Sequence, residues 1–325
     1  MKTRGTDLPK VTICVPICNV ELFIGRCVES LMQQTYDNLE FIFVNDCTPD
    51  KSMEVLLEIL NHYPQRKNQV RIINLPQNKG IAFARNLAID TATSEYIAYV
   101  DSDDWIEKDA IEVLVTKQQK NNADLVFGNC SVHYPNGEIK EGRENLFSKT
   151  DPLEYILKNT HNYHIWGHLI KKELYTKNNV KCKIGVNVGE DMQTLPRLCY
   201  FAKNYVTIDR VIYHYNKCNP HSCGQGKKDF SWFKHLVESY DIFYDFFNKL
   251  GITKYTEILH QSKNDFLYRS MRVAVIERCK DAYQLIKSEL IKHETLYPKY
   301  KFLDLRHILK KNYSIYYLFL KCFRS

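Results

Sequence analysis

The most informative segment of this sequence is Tyr96-Ile97-Ala98-Tyr99-Val100-Asp101-Ser102-Asp103-Asp104-Trp105. Apolar and aromatic residues run directly into four polar ones, which predicts a buried strand that ends at Val100. Neighbouring carboxylates repel one another, and a divalent cation with a preference for oxygen ligands removes that cost. The segment therefore favours a metal site in the acidic cluster Asp101-Ser102-Asp103-Asp104. The alternative is a loop in which Asp103 or Asp104 caps the helix that follows.

Short apolar runs alternate with amphipathic stretches over roughly the first 130 residues, as repeated βα units do. The predicted strands are Val11–Ile17, Leu39–Val44, Val70–Leu75, Tyr96–Val100 and Asp124–Gly128, with helices between them. We expect an α/β fold with a mostly parallel sheet flanked by helices, and ligands at the carboxyl ends of its strands. Beyond residue 229 the sequence turns helical. The predicted division is a catalytic region at 9–225 and a helical C-terminal region at 226–325.

Three further polar groups follow predicted strands or begin predicted helices. Asp46 either accepts hydrogen bonds from a base or ribose, or builds a turn with Thr48. The guanidinium of Arg85, in the helix after Gly80, suits phosphate oxygens, although a surface arginine is the commoner outcome. The carboxylate of Asp191 can take a proton from a substrate hydroxyl, and helix capping is the alternative.

Composition narrows the class of partner. The chain has 325 residues, with 45 Lys and Arg against 38 Asp and Glu, a net charge of +7. This mild excess favours anionic small molecules or an acidic membrane face and does not indicate nucleic acid. Neither a G-x-x-x-x-G-K-[ST] loop nor a G-x-G-x-x-G turn occurs, which argues against P-loop and dinucleotide-binding classes. The 11 cysteines are an odd number without a secretory signal, so we expect buried free thiols in a cytoplasmic protein.

The C-terminus is the nearest approach to a membrane segment. Residues Tyr313 to Phe323 are dense in aromatic and aliphatic side chains, with Lys310, Lys311, Lys321 and Arg324 beside or within them. This run is shorter than the ~20 apolar residues that cross a bilayer. It either lies in the headgroup region at the inner face of the cell membrane or packs on its own domain.

As an ordered set, these segments resemble the family 2 glycosyltransferases with the GT-A fold, especially bacterial enzymes of capsular and cell-wall polysaccharide synthesis. The similarity covers residues 9–223 and includes Val11-Thr12-Ile13-Cys14-Val15-Pro16-Ile17-Cys18-Asn19-Val20-Glu21 and Ser30-Leu31-Met32-Gln33-Gln34-Thr35-Tyr36. It implies an inverting enzyme that moves a sugar from a nucleotide diphosphate carrier, with UDP expected, to a hydroxyl of a glycan or lipid-linked glycan. It also implies a bound Mn²⁺ or Mg²⁺.

The resemblance implies a role for each matching position. Residues expected around the base and ribose are Pro16, Cys18, Asp46, Asn78 and Arg85. Asp101 and Asp103 form the DxD element, with Asp101 towards the ribose and Asp103 on the metal. His221 is placed where some members have a further metal ligand. Asp191 is the expected general base, while Trp166 and Glu190 are expected on the acceptor side.

The chain departs from the family pattern at three places. Cys18 stands where an aromatic residue is usual, Asn45-Asp46 replaces an Asp-Asp pair, and Cys47-Thr48-Pro49 replaces a Gly-Ser-Thr turn. None of these changes removes a catalytic carboxylate, so we expect an active enzyme. The competing interpretations are a nucleotidyltransferase of similar βα architecture and an inactive nucleotide-binding module. The sequence leaves open the donor sugar, the acceptor, the linkage and the oligomeric state.

Overall fold

The structure is a computed structural model that describes residues 8–142, 151–158, 164–222, 224–300 and 313–314. The strands are β1 (Val11–Ile17), β2 (Leu39–Asn45), β3 (Val70–Asn74), β4 (Tyr96–Tyr99), β5 (Trp105–Ile106), β6 (Leu125–His133), β7 (Ile139–Glu141), β8 (His168–Lys171) and β9 (Tyr205–Asn216). The helices are α1 (Ile24–Met32), α2 (Ser52–Asn61), α3 (Ile81–Thr91), α4 (Ala110–Asn121), α5 (Pro152–Lys158), α6 (Lys172–Lys177), α7 (Glu190–Phe201), α8 (Phe230–Leu250), α9 (Thr253–Ile276) and α10 (Lys280–Leu296). Short 3₁₀ helices lie at Pro64–Gln69 and Pro298–Tyr300.

The nine strands form one sheet in the order β3-β2-β1-β4-β8-β6-β9-β5, with β7 on β6. The first four are parallel, as the sequence predicts, and helices connect them in chain order. Strands β1, β2 and β4 are buried almost throughout, whereas β3 at the edge of the sheet is partly exposed. The remainder of the sheet is mixed: β8 runs antiparallel between β4 and β6, and β6 pairs in parallel with β9. The predicted α/β class and flanking helices are confirmed, and the parallel character belongs to the β3-β2-β1-β4 half.

Several elements differ from the predicted ones because distant parts of the chain pair with them. The predicted helix at Glu107 begins at Ala110, since Trp105 and Ile106 form β5 against β9. The predicted strand at Asp124–Gly128 continues to His133, since β9 lies beside it for most of its length. The sequence leaves residues 205–216 without a predicted strand.

A buried carboxylate, Glu40, joins the amino ends of β1 and β2 to the segment after α3. It accepts hydrogen bonds from the Thr12 hydroxyl at 2.6 Å and from the Thr93 backbone N–H at 2.8 Å. Burial alone would raise the pKa of Glu40, but these hydrogen bonds hold it below its ordinary value. This polar junction fixes the sheet at the end opposite to the strand ends that carry the candidate site residues.

The C-terminal helices α8, α9 and α10 contribute to the same apolar cluster as the sheet, through residues such as Phe233, Tyr240, Met271 and Tyr283. Across the described ranges, no helix has both the length and the apolar character needed to cross a membrane. The proposed membrane segment Tyr313–Phe323 falls outside the described residues, apart from its first two. The division at residue 225 stays a prediction. The nine cysteines that the structure describes are free thiols.

The turn before α3 depends on Gly80. Its backbone has φ 83° and ψ 163°, a region that essentially only glycine occupies. A Cβ atom here would lie 2.2 Å from the side chain of Asn187, which packs over the turn. The turn therefore brings α3 and the segment before α7 into closer contact than any side chain would allow.

We expect Gly80→Ala to lower the free energy of unfolding by about 2–4 kcal/mol, through backbone strain and displacement of Asn187. Gly185→Ala is the control, because Gly185 has φ 85° but open space around its Cβ position. Strain alone predicts a loss of about 1–2 kcal/mol there. Urea denaturation measures both. Equal losses would show that Asn187 moves aside without cost and would contradict this account.

Candidate active site

The acidic loop, defined as residues 101–104, follows β4 and is held from the other side by β9. The Tyr213 hydroxyl accepts a hydrogen bond from the Asp101 backbone N–H at 3.2 Å and donates one to Asp104 at 2.5 Å. The Asn216 backbone N–H donates to the other oxygen of Asp104 at 2.7 Å. Asp104 is completely buried and its two oxygens serve these contacts, so it is a structural support for the loop.

Asp103 has a different environment from Asp104. It lines the open cleft, and one of its carboxylate oxygens accepts a hydrogen bond from the Asn219 side chain at 2.9 Å. The helix-capping alternative is wrong, because α4 begins only at Ala110 and its N-cap is Asp109. Asp103 is therefore a carboxylate presented to the cleft.

The electrostatics of the acidic loop disfavour negative charge. Burial, followed by repulsion from Asp101, raises the pKa of Asp103 to about 6. Burial, followed by repulsion from Asp103 and Asp101, raises the pKa of Asp104 well above its ordinary value. A carboxylate that is hard to ionise in isolation gains most from a cation placed beside it.

Arg85 lies at the centre of the site and not on the surface. It is only 4% exposed, and its Nη2 forms an ion pair with Asp101 at 3.0 Å. Its Nη1 contacts Glu190 at 2.8 Å and also Asp191. Burial by itself lowers the pKa of Arg85, but Glu190 and Asp101 raise it above the ordinary value, so the side chain stays charged.

Glu190 and Asp191 occupy the first turn of α7, where the helix dipole favours negative charge. Neither is the N-cap, which is Gly189, and no side chain caps this helix. Burial raises the pKa of Glu190 in spite of the opposing effect of Arg85. The capping alternative is therefore wrong for this pair, and both carboxylates point towards Arg85.

A cleft of about 730 Å³ joins these groups. Of the residues predicted from sequence, those that line it are Arg85, Asp101, Asp103, Trp166, Glu190 and Asp191. The Trp166 ring stacks on Tyr213 at 4.3 Å and lies 5.3 Å from the Tyr215 ring. The cleft thus has charged groups and an aromatic wall, of which Trp166 and Tyr215 line the cleft. Trp166 is only 7% exposed, because His164 also stacks on its ring at 3.9 Å.

The residues predicted around the base form a second group at the carboxyl ends of β1 and β2. The Asp46 carboxylate accepts backbone hydrogen bonds from Lys79 at 2.6 Å and Gly80 at 2.8 Å, while the Asn78 side chain donates to the Asp46 carbonyl and contacts the sulfur of Cys18. Burial, with Asp46 nearby, raises the pKa of the Cys18 thiol. Pro16 lies in β1, two residues before Cys18. The four predicted residues Pro16, Cys18, Asp46 and Asn78 do not line the cleft.

The unusual turn at Cys47 keeps a glycine-like backbone. Cys47 has φ 54° and Asn19, in the facing loop, has φ 56°. The two loops are joined by a hydrogen bond from the Asn19 backbone N–H to the Thr48 hydroxyl at 2.8 Å. Although the chain replaces the usual glycine, the backbone conformation that favours glycine is retained.

The predicted metal ligands Asp101, Asp103 and His221 do not form a closed coordination shell. In the described ranges, no group of three or more His, Cys, Asp or Glu side chains is arranged to enclose an ion. Mg²⁺ and related ions commonly take one or two carboxylates and leave other positions to phosphates, so Asp101 and Asp103 fit this class. His221 is exposed and follows Asn219 by two residues, but it does not line the cleft.

The supports Tyr213, Asn216 and Asn219 were not predicted from the sequence. Each contacts the acidic loop across more than 100 residues of chain, so local spacing carries no signal for them. Asn187, which packs over Gly80, was missed for the same reason. Only recognition of β9 as a strand beside the loop would have indicated them.

The sequence of this chain is similar to those of known glycosyltransferases. Residues 12–179, just over half of the chain, match the family model described as "Glycosyl transferase family 2". The glycosyltransferase EpsJ of Bacillus subtilis (strain 168) is 29% identical over 257 residues, or 75% of this chain and 72% of that protein. The glycosyltransferase GlyG of Streptococcus pneumoniae serotype 4 is 30% identical over 246 residues, or 70% of this chain and 77% of that protein.

The fold is also similar to that of a solved glycosyltransferase structure. The crystal structure of S. aureus TarS 1-349 in complex with UDP-GlcNAc has a TM-score of 0.59 and 14% identity, covering 91% of this chain and 93% of that chain. This likeness concerns the fold, which is the GT-A type. The family match ends at residue 179, before Glu190 and Asp191, so it does not assign their roles. The chain belongs to glycosyl transferase family 2 and is a glycosyltransferase.

Proposed function

We propose that this glycosyltransferase transfers a sugar, with inversion, from a UDP-sugar to a hydroxyl of a glycan or lipid-linked glycan. The observation that carries the proposal is the arrangement around Arg85. One guanidinium joins Asp101 of the acidic loop to Glu190 and Asp191 at the start of α7, within one cleft. Groups for leaving-group stabilisation and for proton removal are thereby brought together.

The donor is assigned to the β1–β2 side of the sheet. Parallel α/β sheets bind nucleotides at the carboxyl ends of their strands, and Cys18, Asp46 and Asn78 form a contacting group there. Arg85 and Asp101, which are also expected on the donor side, line the cleft. The TarS structure of similar fold contains UDP-GlcNAc, which supports UDP as the carrier here.

Asp103, with Asp101 and His221 as the other candidates, would hold Mn²⁺ or Mg²⁺. When bound, the ion would neutralise negative charge that develops on the departing diphosphate. The Asn219 side chain orients Asp103, and the Tyr213 hydroxyl orients the Asp101 backbone.

Asp191 is the proposed general base. Its Oδ1 contacts Arg85, which holds the carboxylate at the start of α7 in place. We assign Oδ2 to the acceptor hydroxyl, whose proton it would take as the oxygen attacks the anomeric carbon. The bond to the diphosphate breaks on the opposite face, which inverts the configuration of the sugar.

Removal of Asp103 tests the donor site. In calorimetry, we expect UDP to bind in the presence of Mn²⁺ and Asp103→Ala to abolish this metal-dependent binding, since the diphosphate loses its bridge to the protein. Asp90→Ala is the control, because Asp90 forms a surface ion pair with Lys181. If the unaltered protein binds no UDP at all, the inactive-module interpretation replaces the proposal.

Removal of the Asp191 charge tests the base. We expect Asp191→Asn to reduce the transfer rate by about 10²–10⁴-fold with UDP affinity nearly unchanged, because the proton acceptor is lost while Arg85 keeps Asp101 and Glu190 as partners. Glu190→Gln is the matched control, since it also removes one carboxylate from Nη1 of Arg85. Steady-state kinetics measures the transfer rate of both variants, and calorimetry measures their affinity for UDP. Full activity of Asp191→Asn would refute the base assignment.

The stereochemistry of transfer tests the single-displacement mechanism. We expect the anomeric configuration in the product to be opposite to that in the UDP-sugar, as attack on the far face requires. Proton NMR of the product before anomerisation reads this configuration directly from the coupling constant of the anomeric proton. A retained configuration would overturn the mechanism while leaving the donor site intact.

A further inference from the structure

One end of the cleft is formed by residues that neither the donor site nor the proton transfer uses. Tyr134 follows β6, and Lys217 follows β9; both line the cleft together with Tyr215. The Lys217 ammonium lies 5.0 Å from the centre of the Tyr134 ring and 5.8 Å from that of Tyr215. The Lys217 backbone N–H donates to the carbonyl of His133 at 2.9 Å, so the two strand ends are fixed side by side.

Lys217 differs from its neighbour Lys140 in its charge balance. Both ammonium groups lie over the Tyr134 ring, that of Lys140 at 5.2 Å. Lys140 is exposed and has a carboxylate partner, Glu138, at 3.1 Å. Lys217 is half-buried and, among the residues that the structure describes, forms no ion pair with a carboxylate. An anion beside this ammonium would attract it more strongly than the aromatic rings do.

The position of Lys217 in the sheet indicates which substrate reaches it. The sheet order places β6 three strands from β1, on the order of 14 Å away at the usual strand spacing. The candidate base-binding residues lie on the β1–β2 side, so Lys217 and Tyr134 are on the opposite half. That half also carries Trp166, whose stacking on Tyr213 and approach to Tyr215 build the aromatic wall.

We propose that Lys217 binds an anionic group, a phosphate or a carboxylate, on the acceptor glycan. This rests on the proposed function, because it takes the cleft as the place where the acceptor hydroxyl meets Asp191. The aromatic wall contacts the sugar ring, and Lys217 forms a charge-assisted hydrogen bond with the anionic oxygen. Acceptors that carry such a group are therefore selected over neutral ones of the same sugar.

The test compares probes that differ only in charge. Glucose, glucose 6-phosphate and glucuronate are titrated against the full chain saturated with UDP and Mg²⁺, and their affinities are measured by ligand-observed NMR. We expect at least one anionic probe to bind about tenfold more tightly than glucose, as a charge-assisted hydrogen bond provides. The tighter of the two distinguishes phosphate from carboxylate. Lys217→Gln should lose this preference, and Lys140→Gln should keep it.

Several results would overturn the proposal. They are an equal or undetectable affinity of the unaltered protein for all three probes, or an anion preference that survives in Lys217→Gln. A fall in UDP affinity in Lys217→Gln as large as the loss for the anionic probe would also overturn it, since the cation would then serve the donor. The proposed function fails separately, if the unaltered protein shows no metal-dependent UDP binding.

Discussion

Carboxylates gathered at the edge of a buried sheet need positive charge beside them, and the guanidinium of Arg85 supplies it. This side chain forms ion pairs with Asp101 after β4 and with Glu190 and Asp191 at the start of α7. Without it, three like charges would face one another in a partly desolvated cleft, at considerable cost in free energy. The same contacts join the proposed donor side of the site to the proposed proton-accepting side, so a single side chain both balances the charge and connects the two.

The acidic loop has a second support that is independent of Arg85. Strand β9 presents Tyr213 and Asn216 to Asp104, while Asn219 in the following turn orients Asp103. These contacts give the two adjacent acids different environments. Asp104 is buried and both of its oxygens accept hydrogen bonds from the protein, whereas Asp103 faces the cleft. Because β9 also continues into Lys217 and lies beside β6, one strand connects the loop to the wall on which we place the acceptor.

Local sequence predicted the parallel half of the sheet well, because its strands are short apolar runs that alternate with amphipathic helices along the chain. Strands β1, β2 and β4 were recognised within one residue of their observed ends. In the mixed half only the first part of β6 was recognised, since β8 and β9 owe their positions to partners more than 40 residues away. For the same reason Asp103 and Asp191 could be named as candidates by their place at strand and helix ends, but the residues that hold them could not.

Short-range patterning and residue type were sufficient to predict the class of fold, the family and the set of carboxylates. The contacts of each carboxylate became clear only from the three-dimensional arrangement of the chain. Asp46 accepts hydrogen bonds from the Lys79–Gly80 backbone, and Asp104 is a buried support. Arg85 is not the surface residue that the alternative interpretation predicted. It is buried and forms ion pairs with three carboxylates. Hydrogen bonds and ion pairs act over a few ångströms in space, and a linear sequence does not specify which distant residues will come within that range.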